Sequence, residues 1–497
     1  MTVGPPVAPE SGSDLLGRLQ RGEISSAEVT ETYLARIEEH DGELRSFVTV
    51  AAESARARAL AADQALERGD PLGPLHGLPI ALKDNIDTAA LRTTVGSRFF
   101  EQRVPAEDAD VARRLREAGA VLVGKTALHE FALGATTQNP HHGACRNPWD
   151  SSRIPGGSSG GSGAAVATGF CAAALGTDTG GSVRIPAALN GVTGLRPTLG
   201  RVSNRGVFPV SWSLDVVGPL ARSVVDVAGL LTVIGGFDPD DPGSVDRPVD
   251  DYLSKLDLGI DGLRIGVPQT FYFADVDEEV EQAVRAAAEV LAASGADVEE
   301  IGLDEAAEAY EATSQIIRAE ALAVHRERLE GNPELFGEDL RRRLPLGYDV
   351  TGAEYAAHRE TGRAWVRTVE RAFERTDIIL TPVTETVAPR ADESETIETT
   401  RRLTRLTYGW SLAGGPSLAL PCGFSGDGLP IGVQLTAPKW KEARLLKAGA
   451  AYQRETDWHL REPKLASTGT PTNAYSSRIP TARTGDAEPG SSRSGNA

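Results

Sequence analysis

Two serines on glycine-rich backbone and one lysine are the residues of this sequence best suited to carry out a chemical reaction. Ser158 stands in the segment 156–161, Ser182 stands in the segment 176–184, and Lys83 lies upstream of both. Serine is a poor nucleophile unless a base removes its proton and the developing oxyanion is stabilised. These residues supply a nucleophile, a relay hydroxyl, a candidate base and bare N–H groups. Together these groups could carry out acyl transfer without a histidine.

Ser182 is the predicted nucleophile. Thr179, Gly180 and Gly181 precede it, and glycine lets the backbone turn consecutive N–H groups into a shared hollow. Such a hollow can hold an oxyanion, and the loss of one donor typically costs about 10²–10³ in rate. A plain turn is the simpler interpretation of an isolated Gly-Gly-Ser, but the whole segment 176–184 favours a site.

Lys83 is the candidate base. Free lysine has a pKa of about 10.4, so a neutral amine at pH 7 requires burial. The apolar run 78–82 leads into Lys83 and reads as a strand. Because side chains alternate along a strand, Asp84 points away from Lys83 and need not keep it charged. A single lysine on the surface is the ordinary alternative.

Other chemistries fit the sequence less well. His141 and His142 are adjacent, a spacing that suits neither one helix face nor the usual metal sites. A Ser–His–Asp hydrolase needs Gly-x-Ser-x-Gly at a strand-to-helix elbow, which the segment 157–161 matches only in part. The segment 156–161 could also be a flexible Gly/Ser linker. The apolar run from Ala164 to Leu175, which follows it and which we expect to be helical, argues against that interpretation. We expect no metal and no cofactor.

Composition narrows the class of partner. The chain has 497 residues, of which 40% are hydrophobic and 24% charged, enough for a sizeable core. Its formal net charge of −19 argues against a nucleic-acid-binding surface. No run of about 18 apolar residues predicts a membrane span, and the N-terminal residues do not read as a secretory signal. Three scattered cysteines oppose a disulfide framework. We expect a cytoplasmic protein that binds neither nucleic acid nor membrane.

Strand and helix patterns alternate on both sides of a centre, residues 130–220, that is rich in Gly, Ser, Thr and Pro. Alternation of this kind is typical of an α/β layer architecture. A charged helical region over 304–375 predicts an outer layer that holds the variable part of a substrate pocket. Residues 1–12 are predicted to be flexible and 464–497 disordered, since both are poor in large apolar residues. Residues 13–463 are predicted to form a single domain.

The motif set resembles the amidase signature family, the serine amidases with a Ser–Ser–Lys triad. The resemblance covers approximately residues 13–463 and includes the lysine motif 77–85, the block 155–197 and the late segment 428–435. It implies a single α/β domain with a central mixed β-sheet between layers of helices. The segment 410–416 departs from the family pattern, which affects the pocket rather than the triad.

The resemblance also implies a mechanism. Ser182 attacks the amide carbonyl, Ser158 passes the proton, and Lys83 receives it. The peptide bond between Gly157 and Ser158 is expected to be cis. Ser158 then returns the proton to the departing amine, and water hydrolyses the acyl-Ser182 ester.

The remaining roles follow from the same resemblance. The N–H groups of Thr179, Gly180, Gly181 and Ser182 are expected to hold the oxyanion, and Asp178 and Arg184 to brace the loop. The expected substrate is a small-molecule amide. Homodimers are common in this family, so the resemblance suggests a homodimer as the assembly.

Three functions compete. The first is a free-standing amidohydrolase that releases an acid and ammonia or an amine. The second is the glutaminase (A) subunit of a tRNA-dependent amidotransferase, which works in a multi-protein complex. Such subunits tend to carry Gln where this chain has Ile185, and Val-Ala-Phe-Ala-Ser-Ser where it has 208–213; both differences favour the free-standing enzyme. A non-catalytic binding relative is disfavoured because Lys83, Ser158 and Ser182 are all present.

Overall fold

Helices and strands alternate along residues 10–465, the part of the chain that this computed structural model describes. The α-helices are α1 (Gly12–Gln20), α2 (Ser26–Leu44), α3 (Ala52–Arg68), α4 (Asp110–Glu117), α5 (Gly160–Ala167), α6 (Arg184–Asn190), α7 (Val224–Ile234), α8 (Glu278–Ala293), α9 (Ala306–Gly331), α10 (Glu338–Arg343), α11 (Gly352–Arg375), α12 (Thr396–Ala413) and α13 (Glu442–Glu455). The strands are β1 (Phe47–Val50), β2 (Pro79–Lys83), β3 (Val121–Thr126), β4 (Gln138–Asn139), β5 (Gly143–Ala144), β6 (Ala173–Asp178), β7 (Thr193–Arg196), β8 (Val216–Ala221), β9 (Arg264–Pro268), β10 (Asp297–Ile301), β11 (Ile378–Pro382), β12 (Ser417–Phe424) and β13 (Pro430–Thr436).

The two predicted tails fall largely outside the described residues. Residues 1–9 and most of the segment 464–497 are not described, so their predicted flexibility and disorder stay predictions. Within the described part, helix α1 already begins at Gly12.

Eleven of the strands form one sheet in the order β1-β3-β2-β6-β8-β7-β12-β13-β11-β9-β10. The β3–β2–β6 strands pair in parallel, the strands from β6 through β8, β7, β12 and β13 to β11 pair antiparallel, and β11–β9–β10 return to parallel pairing. Strands β4 and β5 form a separate hairpin. The predicted mixed sheet between helical layers is confirmed.

Strand β2 shows how the sheet separates two hydrophobic cores. Ile80 and Leu82 belong to one core cluster, whereas Ala81 between them belongs to the other. This alternation follows from the two-residue repeat of a strand whose faces are both covered. Helices α5 and α6 contribute to the same cluster as Ala81. The two glycine-rich segments that precede these helices therefore meet the same side of the sheet.

The apolar run from Ala164 to Leu175 is not one helix, so that expectation was wrong. Helix α5 ends at Ala167, the chain turns at Gly169 with a φ of 66°, and β6 begins at Ala173. Strand β6 pairs with β2 on one side and β8 on the other, and all its residues are buried. An apolar run buried on every side has the same composition in a strand as in a helix.

Helices α9, α10 and α11 cover most of the charged region 304–375, as predicted. Cys145, Cys171 and Cys422 are buried free thiols. Across residues 10–465, none of the helices has the length and apolar character that crossing a bilayer requires.

Candidate active site

Strand β2 ends at Lys83, whose side chain is fully buried. Its Nζ lies 2.8 Å from Ser158 Oγ and 2.8 Å from Thr177 Oγ1. Asp84 takes no part in these bonds, because its carboxylate accepts from the N–H of Thr94 at 2.9 Å. The predicted separation of Lys83 from Asp84 is thus observed, and the lysine directs its amine at a serine hydroxyl.

Burial lowers the pKa of Lys83 to about 7, against the negative charges of Asp178 and Asp215, which act to raise it. A large fraction of the amine is therefore neutral near pH 7, the form that can accept a proton. This is the condition that a lysine base requires.

Ser158 follows a cis peptide bond with Gly157, as the family resemblance implies. Gly157 fits because a Cβ there would lie 2.7 Å from the backbone carbon of Ala135 and 2.8 Å from the N of Thr136. The hydroxyl of the next residue, Ser159, bonds to the backbone instead, because its Oγ donates to the carbonyl of Thr177 at 3.2 Å. Only the first serine of the pair bonds to Lys83.

Ser182 is the accessible residue of an otherwise closed region. Every residue from Ile154 to Thr198 is buried except Ser182, which is partly exposed. The N–H of Ser159 donates to the Ser182 carbonyl at 3.2 Å, which brings the two glycine-rich segments together. A molecule entering this region from solvent therefore meets Ser182 rather than Ser158.

The loop before Ser182 is built around the buried carboxylate of Asp178. It accepts from Gly181 N at 2.7 Å, from Val183 N at 3.2 Å and from Arg184 Nε at 3.0 Å, and Arg196 Nη1 lies 3.2 Å away. Burial opposes its ionisation, but the charges of Arg184 and Arg196 outweigh burial and hold the pKa of Asp178 well below its usual range. The bracing role expected for Asp178 and Arg184 matches these contacts.

The hydrogen-bond partner of the Gly181 N–H is not the one expected. It was expected to face the oxyanion, whereas in this structure it donates to Asp178. Among the hydrogen bonds of residues 10–465, none begins at the N–H of Thr179, Gly180 or Ser182. The available donors are therefore these three, and Gly181 supports them.

Glycine is required at both positions of the loop by close neighbours. A Cβ at Gly180 would lie 2.3 Å from Cε1 of Tyr408, and one at Gly181, where φ is +130°, would lie 2.4 Å from Oγ1 of Thr407. Helix α12 supplies both neighbours, and it binds the loop directly through a 2.5 Å hydrogen bond from Thr407 Oγ1 to the Gly180 carbonyl.

Thr179 is held from the other side by Asp215. Its hydroxyl donates to Asp215 Oδ1 at 2.5 Å, and the other oxygen of Asp215 accepts from the N–H groups of Val210 and Ser211. Burial raises the pKa of Asp215 to about 6, although these hydrogen bonds oppose the rise.

Five residues of this site were not assigned a role from the sequence: Thr177, Arg196, Asp215, Thr407 and Tyr408. Thr177 was within reach, because it stands in the same segment as Ser182 and a hydroxyl near a buried lysine is a natural partner. Arg196 lies in the block 155–197 that carries the family resemblance, but the resemblance gave it no role. Thr407 and Tyr408 come from α12, and nothing in their local sequence distinguishes them. Within residues 10–465, no cluster of three or more His, Cys, Asp or Glu side chains could hold a metal ion.

A cavity of about 290 Å³ lies next to Tyr408, and none of Lys83, Ser158 and the residues 176–184 lines it. Tyr408, whose ring packs on Gly180, forms part of its wall, and helices α9 and α12 supply most of the remainder. The predicted contribution of the region 304–375 to a pocket is consistent with this lining.

Comparison with known proteins agrees with the geometry. The profile of the Amidase family matches residues 28–446. The chain is 45% identical to the A subunit of glutamyl-tRNA(Gln) amidotransferase from Roseiflexus sp. (strain RS-1), over 91% of this chain and 98% of that protein.

Solved structures extend the likeness to the fold. The native peptide amidase of Stenotrophomonas maltophilia is 33% identical with a TM-score of 0.82, covering 93% of this chain and 99% of that one. A chain solved in a vestigial protein complex, linked to the origins of an s-triazine catabolic enzyme, is 36% identical with a TM-score of 0.85. That match covers 90% of this chain and 98% of the other. The chain therefore belongs to the amidase signature family and is a hydrolase of C–N amide bonds.

Proposed function

We propose that this protein hydrolyses a carboxylic amide through an acyl-Ser182 intermediate, with Ser158 as relay and Lys83 as base. The observation that carries the proposal is the 2.8 Å contact between Lys83 Nζ and Ser158 Oγ, made by a lysine whose pKa is about 7. A buried, neutral amine bonded to a hydroxyl beside an accessible serine is a proton-transfer chain.

In the first half-reaction, Ser182 Oγ attacks the carbonyl carbon while its proton moves to Ser158 and the Ser158 proton moves to Lys83. The carbonyl oxygen becomes an oxyanion. When the C–N bond breaks, the proton held by Lys83 returns through Ser158 to the departing nitrogen. Ammonia or an amine leaves, and an ester joins the acyl group to Ser182.

Water completes the cycle by attacking the ester carbonyl. Ser158 and Lys83 again transfer protons: they remove one from the water and return one to Ser182 Oγ as the ester breaks. The free N–H groups of Thr179, Gly180 and Ser182 are the proposed oxyanion donors in both halves. Such donors act strongly because they are fixed in place before the charge develops.

The proposed acyl acceptor is water, and the enzyme is proposed to act without other protein subunits of a complex. Ile185 in place of Gln, and the sequence 208–213, support this choice. Cytoplasmic localisation and a homodimer remain predictions, the first from the sequence and the second from the family resemblance. Light scattering on the purified protein measures the second.

A glutaminase subunit of a tRNA-dependent amidotransferase is the second candidate. The comparisons favour it, since the chain is 45% identical over 91% of its length to a protein of that name, whereas the two motif differences favour the free-standing enzyme. In this candidate glutamine is the amide, and the ammonia passes to another protein of the complex.

Release of ammonia by the purified chain separates the two candidates. Wild type and Ser182→Ala are given a panel of simple aliphatic and aryl amides, and glutamine in parallel. We expect turnover of simple amides by wild type alone, lost in Ser182→Ala. Turnover of glutamine only, or only after the other proteins of such a complex are added, would favour the second candidate. Equal ammonia release by Ser182→Ala would contradict both.

A further inference from the structure

A buried carboxylate on helix α9 holds the loop 208–215. Glu320 is buried, and its Oε2 accepts from Ser211 Oγ at 2.5 Å and from Ser213 N at 3.2 Å. Its Oε1 accepts from Ser213 Oγ at 2.8 Å and from the Tyr355 hydroxyl of helix α11 at 2.7 Å. These four hydrogen bonds offset the cost of burying the charge. Three of them come from the loop, so the carboxylate fixes the loop against the helices.

The loop that Glu320 holds ends at Asp215, whose carboxylate bonds to the nucleophile segment. Asp215 Oδ1 accepts from Thr179 Oγ1 at 2.5 Å, and Asp215 Oδ2 accepts from Ser211 N at 3.0 Å. Ser211 therefore contacts both carboxylates, since its hydroxyl donates to Glu320 and its N–H donates to Asp215. Two buried residues, Ser211 and Asp215, thus separate Glu320 from Thr179, whose N–H is a proposed oxyanion donor.

The start of the loop lies near the proposed base. Phe208 N donates to the Asn85 carbonyl at 2.9 Å, and Asn85 Nδ2 donates to Thr177 Oγ1 at 3.2 Å. Thr177 is one of the two hydroxyl residues bonded to Lys83. The loop therefore contacts the surroundings of both Lys83 and Thr179, and a shift of the loop would disturb both.

Apolar packing also holds the loop against α9. Val210 and Leu214 belong to a core cluster that includes Ile317 of that helix. Such packing is non-directional, so it buries the loop without fixing the direction of the Ser211 N–H. The hydrogen bonds to Glu320 depend on direction, and they determine which way Ser211 faces.

We propose that Glu320 is a positioning residue that holds Thr179 where its N–H meets the oxyanion. It acts through Ser211 and Asp215. This inference rests on the proposed amide hydrolysis at Ser182. A misplaced oxyanion donor lowers kcat and kcat/KM together and leaves KM nearly unchanged. The string Val-Ala-Phe-Ala-Ser-Ser of glutaminase subunits has Ala where this chain has Ser211, so that string lacks the hydroxyl that Ser211 donates to Glu320.

The test compares two variants that each remove one hydroxyl from Glu320. Ser211→Ala removes a bond on the side of the loop, and Tyr355→Phe, the matched control, removes one on the side of α11. Urea unfolding should show similar losses of stability, because each variant removes one hydrogen bond to the same charged group. On a simple amide, kcat should fall about 10- to 100-fold in Ser211→Ala, with KM nearly unchanged. It should stay at the wild-type value in Tyr355→Phe.

Variants of Glu320 itself give the second comparison. Glu320→Ala should lower kcat at least as much as Ser211→Ala. Glu320→Gln should recover part of the loss, because its amide oxygen still accepts hydrogen bonds. Equal losses of kcat in Ser211→Ala and Tyr355→Phe, or no loss in either, would overturn the positioning role.

Hydrogen exchange followed by mass spectrometry tests the same link without turnover. We expect Ser211→Ala to speed exchange in the segments 208–215 and 176–184, whereas Tyr355→Phe leaves the second segment unchanged. Unchanged exchange of 176–184 in Ser211→Ala would overturn the inference even if amides are hydrolysed. Faster exchange of both segments, without amide hydrolysis by wild type, would instead contradict the proposed function and leave the link from Glu320 to the nucleophile segment standing.

Discussion

Lys83 Nζ lies 2.8 Å from Ser158 Oγ, whereas the hydroxyl of the adjacent Ser159 bonds to the backbone of Thr177. Two neighbouring serines therefore have different environments, and this difference defines the first prediction. Ser158→Ala should lower kcat by about 10²–10⁴, the usual contribution of a positioned proton-transfer group. Steady-state kinetics on a simple amide measures the loss.

Ser159→Ala is the matched control. It removes a hydrogen bond to the Thr177 carbonyl, and the expected cost is about 1 kcal/mol in the free energy of unfolding. Its effect on kcat should be far smaller than that of Ser158→Ala. Equal losses of kcat in the two variants would argue against Ser158 as the relay.

The second prediction concerns pH. Because the pKa of Lys83 is about 7 and only the neutral amine accepts a proton, activity should fall as pH drops below 7. The slope should approach tenfold per pH unit, and the profile should be level above about pH 8. We would measure kcat/KM between pH 5.5 and 9.5. A profile that keeps rising beyond pH 9 would indicate an unshifted lysine and contradict this mechanism.

Asp178 carries the third prediction. It is a buried carboxylate between Arg184 and Arg196, so Asp178→Asn leaves two buried cations with less compensation. Breaking a buried ion pair from one side costs about 3–5 kcal/mol. Asp70→Asn, which removes an exposed pair with Arg68, should cost less than about 1 kcal/mol. Urea unfolding of both variants decides whether the Asp178 network stabilises the fold in this way.

The close approach of Tyr408 to Gly180 gives the fourth prediction. Gly180→Ala places a methyl group 2.3 Å from the Tyr408 ring, and the resulting shift of the loop should lower kcat about 10²-fold. Adding Tyr408→Ala should restore part of the activity, because no other atoms crowd that position more closely.

Gly229→Ala in α7 is the control, since a Cβ there meets nothing within 4 Å. It should leave kcat unchanged and stabilise the protein by about 0.5–1 kcal/mol. Full activity in Gly180→Ala would show that the loop tolerates the displacement.

Much of the site could be predicted because its residues stand in short, distinctive segments. Lys83 ends an apolar strand, and Ser158 and Ser182 follow glycines whose missing side chains make room for the backbone. Local sequence also specifies the start of helix α2, where Ser25 and Glu28 form a capping box with Glu28 accepting from the Ser25 N–H at 3.0 Å.

Other features depend on tertiary packing, and no local sequence pattern indicates them. The apolar run that contains β6 favours a helix in isolation, but its burial comes from pairing with β2 and β8. The Gly181 N–H is turned to Asp178 by a carboxylate that two arginines position, and Arg196 arrives from β7. Tyr408 comes from helix α12, far along the chain, so its contact with Gly180 follows from the fold rather than from spacing.

Activation of Ser182 as a nucleophile by Lys83 is the step on which the proposed reaction depends. Intact-protein and peptide mass spectrometry after treatment with a fluorophosphonate tests it most directly, with Lys83→Met as the comparison. We predict a single adduct on Ser182, formed about 10²–10⁴ times more slowly in Lys83→Met. An adduct on another serine, or an equal rate in Lys83→Met, would contradict this activation.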